Sequence, residues 1–301
     1  MDKIMVTVIT PTYNRGREIQ KLYESLKGQT SKNFEWLVID DGSEDGTEEI
    51  MNSIMKKEKN IHIKYYKKKN GGKHTALNIA FGMLKTELAI IVDSDDFLVR
   101  SAIETIIKDW RKYKNERICG LCYKKIGTRN EKICDDFEKG VAIANYNQFI
   151  INSGRVGDKA EVFRSNILST VRYPEYANEK FMGEGVMWSK ISRDWDMVFV
   201  NEAIYVCQYL DGGLTRTGRA MRIKNPLGGI YHSMEYLDKI YKMRIREKNA
   251  LLCLTYARFA KKNILKFCKE SQNSLLLSIN IIPSFVLYQL WLKRFMGGEN
   301  G

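Results

Sequence analysis

Proline is scarce in this chain, with 4 in 301 residues, and no repeat or low-complexity tract interrupts it. Those absences exclude collagen-like, Pro-rich and solenoid classes and leave an ordinary globular chain. The six cysteines, at 119, 122, 134, 207, 253 and 268, are too sparse for a disulfide framework at this length. Reduced thiols in a cytoplasmic protein are the expectation. Cys119-Gly-Leu-Cys122 has redox or zinc-like spacing, but no second Cys or His pair completes a site, and buried strand cysteines are the simpler reading. Met1-Asp2-Lys3 runs directly into an apolar stretch, without charged n-region, long h-region or cleavage site, so secretion is not expected. Two nucleotide motifs are missing after the first apolar run as well. A dinucleotide-dependent oxidoreductase would carry Gly-x-Gly-x-x-Gly there, and a sugar-phosphate nucleotidyltransferase a Gly-rich loop with Arg and Lys; this chain has Thr10-Pro-Thr-Tyr-Asn14.

What is present begins with size and charge. With 44% apolar residues, 301 residues can bury a substantial core. The net charge is +13, and residues 216–301 supply +11 of it through 16 Lys/Arg against 5 Asp/Glu. Nucleic acid, an anionic membrane surface or a diphosphate-bearing substrate each suits such a surface.

The first hundred residues alternate strand-like and helical patterns, with strands expected at Ile4–Thr10, Phe34–Asp40, Ile61–Tyr66 and Leu88–Asp93. This rhythm predicts βαβ units and a mainly parallel α/β sheet. Ile19, Leu22, Tyr23 and Leu26 form one apolar helical stripe. Asp45 with Glu48, and Ser101 with Glu104, look like capping boxes at two further helix starts. From 115 to 210 the pattern is mixed, with strands expected at Ile118–Ile126 and Ala203–Tyr209 and a short helix near Glu184–Ile191. Beyond 230 the chain reads helical and basic.

Ligands of open α/β sheets bind at the carboxyl ends of the strands, so the polar residues following each strand matter most. At Asp93-Ser94-Asp95-Asp96, three carboxylates crowd a strand end, and their repulsion calls for a cation or hydrogen-bond donors. Magnesium or manganese would suit them, taking further ligands from phosphate oxygens and water. Helix capping is the plainer alternative for Asp95 or Asp96. At Asp40-Asp41-Gly42-Ser43 a carboxylate can accept the imide N–H of a uracil or thymine ring; a simple turn is compatible with that role. Asn70-Gly-Gly-Lys73-His74 offers close backbone approach and one cation before a helix.

Four segments together, Val8-Ile-Thr-Pro-Thr-Tyr-Asn-Arg15, Ile39-Asp-Asp-Gly-Ser43, Asn70-Gly-Gly-Lys-His-Thr-Ala-Leu-Asn78 and Val92-Asp-Ser-Asp-Asp96, resemble the family 2 glycosyltransferases. The resemblance covers the first 100 residues firmly and extends more loosely to about 218. It implies a GT-A fold and an inverting, metal-assisted transfer from a nucleotide-sugar donor, most often a UDP-sugar. By position, Pro11, Thr12 and Tyr13 would frame the nucleoside and Asp41 would contact the uracil. Lys73 would sit near base or phosphate, Asp93 by the ribose with Ser94 beside it, and Asp95 or Asp96 would hold Mn2+ or Mg2+. Many relatives carry the catalytic base in a Glu-Asp pair. Here Glu184 keeps the first position and Gly185 replaces the second, so Glu184 is the expected base, with Asp158 and Glu179 as weaker candidates. Tyr209-Leu-Asp-Gly-Gly-Leu-Thr-Arg-Thr-Gly-Arg219 resembles a segment that closes over the donor. Arg216, Arg219 and Arg222 could there clamp a diphosphate, or form a solvated basic loop.

The expected organisation is a catalytic domain over 1–218, with its nucleotide-binding half at 1–100 and acceptor half at 101–218, and a helical basic extension over 219–301. Ser274–Leu292 approaches spanning length, yet Pro283 and interrupting polar residues argue against a span. An interfacial helix pair over 274–294, anchored by Trp291, Lys293 and Arg294, is one reading. Packing against the catalytic domain or a second subunit is the other. The leading expectation is therefore a cytoplasmic enzyme, peripheral at the inner membrane face, extending a glycan or lipid-linked saccharide acceptor of a surface polysaccharide. No nucleic-acid partner is expected. The competing class is a non-catalytic, basic membrane- or nucleic-acid-binding protein on a degenerate transferase scaffold, and the intact carboxylate clusters weigh against it.

Overall fold

The computed structural model describes residues 4–137, 140–207 and 214–295, with side chains left out for 214–217. The chain divides into two compact units, Met1–Tyr173 with Ile191–Leu210, and Pro174–Lys190 with Asp211–Gly301. Where the sequence suggested one boundary at 218, the chain passes between units after Tyr173, Lys190 and Leu210. Glu184 thereby belongs with the C-terminal helices.

Among the described residues the first unit is built on nine strands: β1 (Val6–Thr12), β2 (Phe34–Asp40), β3 (His62–Lys67), β4 (Leu88–Ile91), β5 (Phe97–Leu98), β6 (Ile118–Gly127), β7 (Val141–Ala144), β8 (Lys159–Arg164) and β9 (Asp196–Cys207). They form one sheet in the order β3-β2-β1-β4-β8-β6-β9-β5, with β7 also paired to β9. The β3-β2-β1-β4 half is parallel, as the βαβ rhythm predicts, whereas β8 enters antiparallel between β4 and β6. Between the strands run α1 (Gly16–Lys27), α2 (Thr47–Lys57), α3 (Lys73–Met83), α4 (Ala102–Tyr113), a π-helical turn over Asn147–Asn152, and α5 (Ser165–Leu168). Every residue of β1 and β2 is buried, which explains their near-continuous apolar sequence. Val6, Val8, Trp36 and Val38 share one core with Ile19 and Leu22 of α1, Met51 of α2 and Ile106 and Trp110 of α4. Leu77, Ala80 and Phe81 are buried on α3, which packs on β1 and β2.

Several boundaries differ from expectation for physical reasons. β1 runs on to Thr12, so Pro11 and Thr12 are strand residues. β4 ends at Ile91, because the Asp93 amide turns away and donates to the Tyr205 hydroxyl at 3.0 Å. β9 begins at Asp196, well before the expected Ala203. Neither capping box closes. The Asp45 carboxylate accepts from Thr47 N and Gly16 N, while Glu48 pairs with Lys67. At α4, Gln29 supplies the cap from another element: its Oε1 accepts from Ile103 N and its Nε2 donates to Val99 O and Ser25 O. Glu104 instead accepts from the Thr30 hydroxyl. The cysteines Cys119 and Cys122 are buried on β6, with burial pushing the Cys119 thiol up to about 12, as structural thiols should be.

The second unit is helical: α6 (Gly185–Ile191, whose last residue lies past the boundary), α7 (Leu214–Lys224), α8 (Pro226–Glu235), α9 (Met243–Phe259), α10 (Ile264–Glu270), α11 (Ser274–Ile279) and α12 (Ile281–Phe295). The stretch forms two helices broken at Asn280, a pair as one reading of the sequence has it, and Pro283 falls in the first turn of α12, where a missing N–H costs nothing. Among the described residues no helix is long and apolar enough to cross a membrane.

Gln29 is buried and makes three hydrogen bonds to backbone, so Gln29→Ala strands those groups. We expect a loss of about 1–3 kcal/mol in chemical denaturation. An unchanged midpoint would contradict the cap.

Candidate active site

The carboxyl ends of β1, β2 and β4 carry the site, and each loop is fixed by a neighbour. Asn14, in the left-handed region at φ 51°, donates its amide to Ser43 Oγ and accepts at Oδ1 from Glu44 N. This laces the loop after β1 to the loop after β2. Asp40 holds the second loop from beneath, accepting from Ser43 N and the Tyr65 hydroxyl. Gly42 sits at φ +86°, and a Cβ there would lie 2.9 Å from Asn70 N, so the Asp-Gly pair is required by close backbone approach as well as by turn geometry. Pro11 and Thr12 are buried at the end of β1, and Tyr13 is exposed beside them.

Asp41 is nearly fully engaged within the chain. Its Oδ1 accepts from Lys68 Nζ (2.6 Å) and Gly71 N (2.9 Å), and its Oδ2 from Gly72 N (2.7 Å) and Asn70 Nδ2 (3.1 Å). A carboxylate has about four lone-pair sites. The residue expected to read a base therefore first organises the Asn70-Gly-Gly turn, and a ring imide could reach it only by replacing one of these donors. Lys68 is the exchangeable one, since its ammonium also bonds Lys69 O and Thr75 Oγ1.

The three carboxylates after β4 are compensated unequally. Asp93 forms an ion pair with Lys73 at 2.5 Å, with 34% and 24% of the two side chains exposed, open enough for a ligand to reach. Burial opposes its charge, but Lys73 and Lys125 overcome that and hold its carboxyl below the usual range. Asp96 is buried and accepts the Tyr205 hydroxyl at 2.8 Å. The Tyr205 hydroxyl thus bridges the Asp93 amide and Asp96, and burial beside these carboxylates keeps it protonated. Asp95 has no ion pair among the described residues, and its carboxylate is met only by its own backbone N–H. Burial and the charge of Asp93 push its carboxyl up, against the hydrogen bond from its own amide and the weaker pull of Arg15 and Lys73. Ser94 is buried between them.

That imbalance is the test of a divalent cation. No group of three or more His, Cys, Asp or Glu is arranged as a cage among the described residues. A hard cation that keeps water and takes phosphate oxygens needs only one or two protein carboxylates, and Asp95 is the undercompensated one. The donor set fits such an ion at Asp95 better than at Asp96.

The sequence reading missed Lys125, Tyr205 and Glu161, which come from β6, β9 and β8, remote in sequence from the motifs. Lys125 lies over the Tyr205 ring, 3.9 Å from its centroid, and the fields of Asp93, Glu161 and Asp96 all act on it. Glu161 accepts from the Tyr146 hydroxyl at 3.1 Å, and burial pushes it up to about 7 against the pull of Lys125 and Lys159. No local motif could have signalled them. A shallow hollow of 480 Å³ lined by Thr86, Glu87, Trp110 and Arg164 lies before β4, away from the carboxylates at its other end.

In the second unit, Glu184 is half-buried immediately before α6, and its carbonyl accepts from Met187 N. Gly185 has room for a larger side chain, since a Cβ would meet only the Tyr236 hydroxyl at 4.0 Å. Glu179 is occupied otherwise, capping α8 by accepting from Leu227 N and Gly228 N. Asp158, in the first unit, is exposed. Arg219 stacks over Trp291 and Arg222 over Phe181. The Arg216 side chain and residues 209–213 of the expected closing segment lie outside the described residues.

Glu161 yields a pH prediction with a definite sign. Its folded-state pKa lies above the 4.5 of an ordinary Glu, so its contribution is present below pH 4.5 and is lost as pH rises through about 7. Asp93 acts in the opposite sense, its contribution being lost as pH falls below 3.8. Glu161→Gln should gain on the order of 2–3 kcal/mol relative to the parent between pH 4.5 and pH 8. Parallel pH–stability curves for the two proteins would contradict this.

Comparison with known proteins bears on the family and the fold. Residues 7–166 match the model of glycosyl transferase family 2. The chain is 30% identical to glycosyltransferase GlyG of Streptococcus pneumoniae over 119 residues, 40% of this chain and 39% of that protein. It spans less than half the length of this and several other curated relatives. A GalNAc(5)-diNAcBac-PP-undecaprenol β-1,3-glucosyltransferase of Campylobacter jejuni aligns over 94% of this chain and 91% of its own length at 23% identity. The solved structure of Staphylococcus aureus TarS 1–349 with UDP-GlcNAc superimposes with a TM-score of 0.65 at 17% identity, covering 94% of this chain and 80% of TarS 1–349. The fold is thus the GT-A α/β fold, and the chain belongs to glycosyl transferase family 2.

Proposed function

We propose that the enzyme transfers a sugar, with inversion, from a UDP-sugar to a glycan or lipid-linked acceptor of a surface polysaccharide. The observation carrying this reading is the strand-end cluster in which Lys73, Asp93 and a less compensated Asp95 follow the Asp41-organised turn. The names of similar proteins supply the chemistry: UDP-GlcNAc bound to TarS, and an undecaprenyl-diphosphate-linked substrate for the Campylobacter enzyme.

In this reading Pro11, Thr12 and Tyr13 border the nucleoside, and the base imide takes the place of Lys68 on Asp41. Asp93, with Ser94 beside it, accepts a ribose hydroxyl and keeps Lys73 oriented toward the phosphates. Arg216 and Arg219 serve the diphosphate. A magnesium or manganese ion at Asp95 would neutralise charge on the leaving diphosphate. Glu184 accepts the proton of the acceptor hydroxyl as its oxygen bonds to the anomeric carbon and the bond from that carbon to the diphosphate breaks.

A panel of UDP-, GDP- and dTDP-sugars, assayed for nucleotide release with and without manganese, should single out one UDP-sugar. Glu184→Gln should then lower acceptor-dependent kcat by about 100-fold or more. Full activity of that variant would remove Glu184 as base, and release from no UDP-sugar would remove the donor assignment.

A further inference from the structure

The C-terminal helices bury Trp291, one of the three expected anchors, and leave Lys293 and Arg294 exposed. Trp291 is 6% exposed, packed against Tyr256 and Ile223 and stacked under Arg219. Leu277 is buried in a cluster with Leu237, Leu254 and Cys268. These contacts fix which way α11 and α12 face. The outward side carries Leu275, Ile279, Ile282, Val286 and Leu290, which are 79%, 61%, 77%, 53% and 59% exposed. Their spacing of four, three, four and four residues keeps them on one side, as an amphipathic helix requires, across the break at Asn280.

Leaving five aliphatic side chains in water forgoes hydrophobic stabilisation, so the stripe calls for an occupant. Charge decides which. Residues 261–295 hold Lys261, Lys262, Lys266, Lys269, Lys293 and Arg294 against Glu270 alone, and all six cations are exposed. A second copy of the same face would bring like charges together. An anionic lipid surface matches both properties, acyl chains taking the stripe and headgroups the cations. Neither helix is long enough to span a bilayer, so the orientation is in plane.

We propose that α11 and α12 lie flat in the interface of an anionic membrane, inserting the Leu275–Leu290 stripe while the lysines of residues 261–269 and the Lys293–Arg294 pair contact headgroups. The purpose, access to a lipid-linked acceptor, rests on the proposed function; the binding does not. Full-length protein should float with vesicles of mixed phosphatidylglycerol and phosphatidylcholine, much less with phosphatidylcholine alone, and less again at high salt. Ile282→Asp/Val286→Asp should lower the bound fraction about tenfold with the melting temperature unchanged. Lys261→Glu/Lys262→Glu/Lys266→Glu, which leaves the stripe intact, should abolish the preference for anionic vesicles. The proposal is overturned if the parent protein fails to float, if the stripe variant floats equally well, or if sedimentation shows the stripe joining two copies in place of lipid. Nucleotide release from a soluble donor, measured alongside, keeps failure here distinct from failure of the transferase assignment.

Discussion

Three carboxylates at the end of one buried strand set the terms for the rest of the first unit. Asp93, Asp95 and Asp96 repel one another, and their burial would be prohibitive without compensation. Lys73 reaches one from the start of α3, Lys125 acts on the cluster from β6, and the Tyr205 hydroxyl spans two of the three positions from β9. The mixed half of the sheet, in which β6 and β9 run parallel and β8 antiparallel, is thus tied to the parallel half by charge as well as by strand pairing. The compensation is weakest at Asp95, whose carboxyl is pushed up by burial and by Asp93; the proposed metal contact rests on that difference.

The same logic explains Asp41. Four donors converge on its carboxylate, and three of them come from the Asn70-Gly-Gly turn. Without it the amides of Gly71 and Gly72 would lack an acceptor and the turn before α3 would lose its shape, which in turn positions Lys73. The strand-end motifs thus act as one mechanical unit: Asp41 shapes the turn, the turn starts α3, and α3 presents Lys73 to Asp93.

The parallel half of the fold was legible because its strands are buried on both faces and read as apolar runs, and because each is followed by turn residues with a steric reason to be there, Gly42 above all. Phe34–Asp40 was recovered without error for that reason. β8 and β7 were not foreseen, since Lys159 and Glu161 break the apolar pattern of one and the other is short and half exposed. Capping boxes misled at Asp45 and Ser101 because tertiary partners, Gly16 and Gln29, compete for the same groups. Trp291 misled similarly: composition alone cannot tell which side of a helix a Trp occupies, and its neighbours Tyr256 and Ile223 lie far off in sequence. Lys125, Tyr205 and Glu161 were illegible because their roles exist only once β6, β9 and β8 are in register.

The central claim is that the unequal compensation at this strand end makes a nucleotide and metal site, with Asp95 as the metal contact and Asp96 as a structural carboxylate. Calorimetric titration of UDP in the presence and absence of manganese, on the parent chain, Asp95→Asn and Asp96→Asn, tests it most directly. The account predicts that manganese tightens UDP binding in the parent, that Asp95→Asn abolishes the enhancement, and that Asp96→Asn retains it. Metal-enhanced binding that survives in Asp95→Asn would contradict the account.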